Sequence, residues 1–472
     1  WAVSAGGPDD DNGQGISSHA DGSSVVTGPF EGTVSFGSIS LTSAGGLDVF
    51  VARVTSSGVW QWALSAGGNG SDQGYGISAL ADNSSVVTGY FQVTASFGSI
   101  SLTSAGSQDI FVALIESTPG NGSVSSSPTP LPTVSPSPSE SMFDWAVGAN
   151  GTGSDTGYGI SALADGSSVV TGSFYGNTSF GSIALTSAGD DDVFVAKLAP
   201  SGAWEWALSA GGTDDERGYG ISSLADGSSV VTGYFSYMAS FGSISLTSAG
   251  GQDIFVAKVT SSGAWEWALS AGGTDVFGTD ISALADGSSV VTGSFYGNIS
   301  FGNTSLSSRG NYDIFVAKVA SSGEWEWALR AGSTSGDYGY GISALADGSS
   351  VVVGSFGDTA SFGSISLTSA GGQDIFVAKV TSSGAWEWAL SAGGTLDDQG
   401  YGISSLADGS SVVTGSFGDT VSFGSISLTS AGGLDVFVAR VTSSGAWEWA
   451  LSAGGTDDDN GQGISSHADG SS

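Results

Sequence analysis

The sequence predicts an all-β protein, a seven-bladed β-propeller of four-stranded antiparallel blades with a Ser/Pro-rich extended linker. Three observations predict it. A string Asp-(Ile/Val)-Phe-Val-Ala begins at Asp48, Asp109, Asp192, Asp253, Asp313, Asp374 and Asp435. The intervals are 61, 83, 61, 60, 61 and 61 residues, one period with a single insertion of about 22. No segment of the repeat sustains a 3.6-residue apolar period, which leaves strands as the only regular element.

One unit, residues 280–341, shows how the four strands arise. Residues 281–285 make a short first strand, and Asp286-Gly287 supplies the positive φ of a tight turn. Residues 288–295, rich in Val and Thr, make the second. An arm around Ser300-Phe301-Gly302 follows, then a third strand at 313–319 and a fourth at 325–331. Ser-Ser-Gly between the last two, as at Ser261-Ser262-Gly263, suits a three-residue loop with Gly in the left-handed position.

Alternation across this second hairpin sets Lys258 opposite Glu266, Val259 opposite Trp265, Ala257 opposite Trp267 and Phe255 opposite Leu269. One face then carries Phe255, Val259, Trp265, Trp267 and Leu269, and the other Ile254, Val256 and a Lys–Glu pair. Lys197, Lys318, Lys379, Arg53 and Arg440 fill the lysine's slot elsewhere, so most of the nine basic residues read as structural. Both faces are apolar because each sheet is sandwiched, the Phe/Trp face of one unit packing on the Val/Ile/Leu face of the next. Such units repeated around an axis make a propeller.

The unit resembles the SBBP repeat family, seven-bladed β-propellers. The residues that carry the resemblance are Gly172 and Gly293 after Val-Val-Thr, Phe301-Gly302, Gly250, the run from Asp253 to Lys258, Gly263 and Trp265. It covers nearly the whole chain outside the linker. It implies a secreted or cell-surface propeller with no common catalytic residues, and it names no ligand.

The domain organisation follows: two blades in 1–117, a linker in 118–143, five blades in 144–448, and a hairpin in 449–472 that duplicates 1–24 with two differences. The linker holds six of the nine prolines between Ser and Thr, a polyproline II composition. At about 3.1 Å per residue it reaches roughly 80 Å, against a radius of gyration of roughly 22 Å for a ring of this size. It interrupts the hairpin between the third and fourth strands, and it resembles the hydroxyproline-rich glycoproteins of algal and plant walls. Two readings stay open. The linker is a loop within one blade, or it joins successive propellers, so that two blades complete one ring and five begin the next. A contact of the second kind does not close on itself and makes a fibre.

Composition narrows the function. Nine Lys+Arg against 45 Asp+Glu give a net charge of −36, which repels nucleic acid and anionic membrane. There is no cysteine, hence no disulfide or thiolate site. No run of eighteen apolar residues exists to insert in a membrane. The chain opens on Trp1 inside a repeat, with no signal peptide in view.

Seven of ten asparagines lie in Asn-x-Ser/Thr: Asn69, Asn83, Asn121, Asn150, Asn177, Asn298 and Asn303. Chance gives about three, so N-linked glycans and an extracellular or cell-surface location are expected. Asp9, Asp11 and Gly13 form part of a calcium-loop pattern and are weak Ca²⁺ candidates; solvated loops are the favoured reading there, at Asp214-Asp215-Glu216 and at Asp397-Asp398. The Asp of each first turn (Asp21, Asp165, Asp226) fits turn geometry. Two histidines, His19 and His467, occupy equivalent positions and form no cluster, no nucleophile motif stands in context, and no carboxylate pair is singled out. The expectation is therefore no enzyme and no cofactor. Three functions remain in view, in this order: a glycosylated structural subunit that joins head to tail with itself into a fibre or coat, a carbohydrate- or protein-binding adhesin, and, last, a polysaccharide-acting enzyme.

Overall fold

The computed structural model describes residues 5–6, 11–117, 142–454 and 458–466. These residues form 37 strands and no helix, and every strand pairing is antiparallel. In the fourth repeat the inner strand Arg217–Ser223 pairs with the second, Ser229–Phe241. The second pairs with the third, Ile244–Val259, and the third with the outer, Trp265–Ala271. The order inner, second, third, outer recurs in the other repeats. The hairpin of the second repeat spans the linker: Asp109–Ile115 pairs with Phe143–Gly151. Strands from both sides of the linker thus share one sheet.

Each unit is tied to its neighbours at two places. At one, the arm of one repeat pairs with the end of the preceding outer strand, as in Ala66↔Phe97, Ala149↔Phe180 and Ala331↔Phe362. Ala5↔Phe36 is the same pairing, so Ala5–Gly6 stands where the outer strand of a unit before the first belongs. At the other, a serine hydroxyl of each inner strand accepts a hydrogen bond from an amide of the next. The links are Ser17 to Ala79 (2.9 Å), Ser78 to Ala162 (3.1 Å), Ser161 to Ser223 (3.2 Å), Ser222 to Ala283 (3.1 Å), Ser282 to Ala344 (3.2 Å) and Ser343 to Ser405 (3.1 Å).

The series does not stop at the seventh inner strand. Ser404 accepts the amide of Ser466 at 3.1 Å, so residues 458–466 lie against the seventh inner strand as an eighth inner segment. That segment also meets the beginning of the first repeat. Gly461 forms a parallel bridge with Gly13, and a Cβ placed on Gly463 would stand 3.0 Å from the carbonyl oxygen of Gln14.

The core lies between units. The Val/Ile face of the fourth repeat (Val230, Ile254, Val256) packs on Phe295, Phe301 and Phe315 of the fifth in one buried cluster. This is the sandwich that the two apolar faces predict. Alternation across the third–outer hairpin fails at one point. A bulge between Lys258 and Val259 opposes Val259 to Trp265, Lys258 to Trp267 and Phe255 to Ser270, not Leu269. One extra residue reverses the faces beyond it. Trp267 and Leu269 therefore join the Ile254/Val256 face, while Trp265 stays with Phe255.

The expected Lys–Glu pair survives the bulge, with Lys258 Nζ 3.2 Å from Glu266. It also lies 3.6 Å from Asp226 of the first turn. Lys197, Lys318, Lys379 and Arg440 repeat the arrangement, and Arg53 pairs with Asp21 at 2.7 Å. The turn aspartates accept the amide two residues on, Asp286 from Ser288 at 2.9 Å. They serve the turn, as their recurrence suggests.

Candidate functional site

Three features of this frame could act on something outside it. The first is a set of carboxylates at the junctions. Asp72, Asp155, Glu216, Asp337 and Asp398 end the loops that enter the inner strands, and all five are buried. Asp398 accepts from the amide of Gly394 (2.7 Å), after the outer strand of the sixth repeat, and of Gly418 (3.0 Å), in the seventh. Asp72 (Gly68, Gln92), Glu216 (Gly212, Ser236) and Asp337 (Ser333, Gly357) make the same double contact. The expectation of solvated acidic loops is corrected here: Glu216 and Asp398 bridge neighbouring units.

Burial pushes these acids up, Asp72 to about 6, Asp155, Asp337 and Asp398 to about 7 and Glu216 to about 8. Asp11 occupies the corresponding position in the first repeat and bridges Phe30. Asp9 lies outside the described residues. Among the described residues no three His, Cys, Asp or Glu side chains gather as metal ligands.

The second feature is an arc of aromatic rings at the start of the inner strands. The pairing of inner and second strands shifts register between Gly74 and Gly76, leaving Tyr75 as the bulged residue. The same bulge carries Tyr158, Tyr219, Tyr340 and Tyr401. In the fifth repeat it carries Thr279, and Phe277 takes over the ring. A bulge re-aims one side chain out of the alternation. It needs glycine beside it: a Cβ on Gly74 would come within 2.4 Å of Thr27 Oγ1 in the preceding repeat.

The rings meet edge to face or tilted, except Tyr338 and Tyr340, whose planes stack at 16°. Tyr75 lies 6.0 Å from Tyr90 and 5.6 Å from Tyr158, Tyr158 5.2 Å from Tyr219, and Tyr219 5.9 Å from Tyr234. The arc continues through Phe277, Tyr312 and Tyr338 to Tyr340 and Tyr401. It ends where Gln14 and Gln462 replace tyrosine between the same two glycines. Tyr75 donates to Gln73 at 2.9 Å, and Tyr401 donates to Gln399. Arg217 enters the arc, paired with Asp191 at 3.2 Å, its Nε buried without an acceptor. Burial raises Tyr75, Tyr90, Tyr219, Tyr234 and Tyr401, and Tyr340 to about 12, which keeps those hydroxyls as donors. Sequence reasoning missed these residues, although Gly-Tyr-Gly before the inner strand, in five repeats, was the available signal.

The third feature is the position after the seventh repeat. Ile254 and Val256 of the fourth repeat are fully buried by the fifth. Their counterparts Val436 and Val438 are only half-buried, and Leu451 is 50% exposed. Beside this face stand the inner segment 458–466 and, on the far side, Ala5–Gly6. Among the described residues no second and third strands lie between them.

Of the sequon asparagines, Asn69, Asn150, Asn177, Asn298 and Asn303 are exposed. Asn83 is half-buried at a first turn, with φ of 67° where most repeats have Gly. Asn121 lies outside the described residues, as does His467. His19 is buried, its Nε2 3.0 Å from Ser85 Oγ. Among the described residues no helix is long and apolar enough to cross a membrane.

No family model and no curated protein matches the chain. Among solved structures it is similar to puromycin hydrolase and to a mutant of that enzyme complexed with PGG. Identity is 12% and the TM-score 0.40 in both, over 93% of this chain. The chain spans about half the length of those chains, 54% and 53%. The expectation that this is not an enzyme is corrected on that finding, since the matched structures are of a hydrolase. The likeness carries over no substrate and no catalytic residue.

Proposed function

We propose that the chain is a β-propeller subunit of an extracellular fibre or coat, with units stacked around an axis and one position completed from outside these residues. The observation that carries the reading is the half-buried Val436/Val438/Leu451 face. Each equivalent face inside the chain is covered by the Phe/Trp face of a following unit, and an apolar sheet face left open is an interaction surface. The hydroxyl–amide links run from Ser17 to Ser466, and the eighth segment touches the first repeat. That succession supports a ring of eight positions, seven with all four strands and the eighth with an inner segment and Ala5–Gly6.

The missing pair has a defined chemistry: a Val-Val-Thr-Gly-x-Phe strand hydrogen-bonded to an Asp-Ile-Phe-Val-Ala strand, presenting phenylalanines to Val436 and Leu451. A pair donated by a neighbouring molecule joins rings end to end, a contact that extends without closing. The resemblance to the SBBP repeat and the exposed sequon asparagines support a location outside the cell.

The test extends the chain after Ser472 with a copy of residues 230–260, which continues the repeat in register. The 472-residue chain is expected to grow in mass with concentration in light scattering. The extended chain is expected to stay monomeric and to melt several degrees higher, because burying such a face contributes about 25 cal/mol per Å². Identical mass and melting for both chains would refute the reading.

A further inference from the structure

We infer that the tyrosine arc is a binding surface for a neutral glycan chain, whose sugar rings lie against the tyrosine faces while their hydroxyls bond to the phenols, Gln73, Gln399 and Arg217. The inference does not need the assembly reading, since it uses the bulged residues of the inner strands of the second to seventh repeats and not the Val438/Leu451 face.

The bulged tyrosines are not part of the buried clusters that pack unit on unit, which the Phe and Val faces form. Tyr75, Tyr158, Tyr219, Tyr340 and Tyr401 are instead turned out of the strand alternation by five separate bulges and remain half-buried. A half-buried tyrosine offers an apolar face and a polar tip at low entropic cost, which suits recognition. Where the repeat ends the arc, Gln14 and Gln462 supply amides in place of rings. Binding sites of this kind combine a mostly apolar lining with a few fixed polar groups.

Charge and geometry choose the ligand. With a net charge of −36, and Asp191 beside Arg217, the surface disfavours polyanions, nucleic acid included. The Arg217 guanidinium, set among Tyr158, Tyr219 and Tyr234, is offset by Asp191, so this part of the arc carries no unbalanced charge from that pair to select an ion. From Tyr90 to Tyr234 the ring planes are tilted by 44–62°, and the one near-parallel pair, Tyr338 and Tyr340 at 6.1 Å, is too close to admit a planar aromatic molecule between its rings. A neutral chain of sugar rings meets all three conditions. It is stiff, presents apolar C–H faces at intervals of the order of the ring-to-ring spacing, and carries hydroxyls that both donate and accept. The arc fits a chain better than a single sugar, because its rings follow one another across six repeats.

The experiment measures the 472-residue chain by titration calorimetry against cellohexaose and laminarihexaose, with the sulfated polymer dextran sulfate as the charged control. Saturable binding of at least one neutral hexasaccharide, little affected by 0.5 M salt (about the level at which exposed charges are screened), is expected. Tyr158→Ala with Tyr219→Ala should weaken it by about tenfold or more. Tyr237→Ala, on an exposed arm outside the arc, should leave it unchanged. Should the double variant fail to fold, nitration of the unaltered chain decides: the bound hexasaccharide is expected to protect Tyr158, Tyr219 and Tyr401 and not Tyr237. Absence of binding to both hexasaccharides, salt-sensitive binding of dextran sulfate alone, or protection that spares the arc would overturn the inference.

Discussion

Asp398 sits beside Asp374 at the junction between the sixth and seventh repeats, and burial together with that neighbouring charge pushes Asp398 up to about 7. A carboxylic acid there still holds the Gly394 and Gly418 amides, but its ionised form is desolvated and faces another acid. Because the folded-state value is raised, the stability it contributes is complete below about pH 4 and is lost as pH rises through about 7. Asp72, Asp155, Glu216 and Asp337 act in the same direction, over about 6 to 8. The turn aspartates oppose them only in acid: the Ser288 hydroxyl and amide hold Asp286 below its ordinary value, a contribution lost as pH falls below it. Melting temperature is expected to peak between about pH 4 and 6 and to decline towards pH 8. Asp398→Asn should make that decline shallower. Calorimetry from pH 3 to 9 measures both, and a melting temperature that climbs steadily to pH 8 would contradict the assignment.

In the second repeat Leu114 stands where Lys197 stands in the third. It lines a cavity of about 410 Å³ together with Asp82, Glu116 and Asp144. Lys197 meets Glu205 at 3.1 Å and Asp165 at 3.6 Å. Asp82 and Asp144 hold the corresponding positions, so Leu114→Lys is expected to stabilise the chain by about 0.2–1 kcal/mol, the range of partly exposed ion pairs. Urea unfolding at low and high salt checks it; the gain should shrink at high salt.

Gly263 takes φ of 77°, and a Cβ on it would come within 2.5 Å of Trp206 in the preceding repeat. Trp206 in turn donates its indole N–H to the carbonyl of Ser261 at 3.2 Å. Gly263→Ala therefore strains the turn and displaces a ring that bridges two units, at a cost of about 1–3 kcal/mol. Denaturant midpoints of the single variant measure this. A neutral result would show that the indole does not fix the spacing of the units.

Leu451→Asp places a charge on the half-open face of the seventh repeat. Stability should change by less than about 1 kcal/mol, because the side chain is already half exposed. Concentration-dependent growth in mass should disappear. Val256→Asp, at the buried counterpart of Val438, should instead unfold the chain, since an unpaired charge cannot be buried there. Light scattering and circular dichroism on the two variants separate the outcomes.

Much of this was legible in the repeat itself. The Asp-(Ile/Val)-Phe-Val-Ala string fixes the third strand, Asp286-Gly287 and Ser261-Ser262-Gly263 the turns, and the two apolar faces the stacking of one unit on the next. The Lys258–Glu266 pair was also readable, because the two charges stay within reach although the bulge sets Lys258 opposite Trp267. Two bulges were not readable from alternation alone. One at Lys258/Val259 moves Trp267 to the other face, and one at Gly74/Gly76 turns Tyr75 towards its neighbours. A bulge follows from how two strands twist together, and alternation in a single strand carries no trace of it. The burial of Glu216 and Asp398 was hidden for a related reason: their partners, Ser236 and Gly418, come from the following repeat at a distance of 20 residues.

The arrangement of units around an axis is the claim on which the rest depends, and electron microscopy of assembled native material viewed end-on tests it most directly. Rings of eight sectors are expected, seven contributed by each chain and the eighth holding two strands from outside it. Units laid out in a line, or closed rings of seven sectors with no shared position, would contradict it.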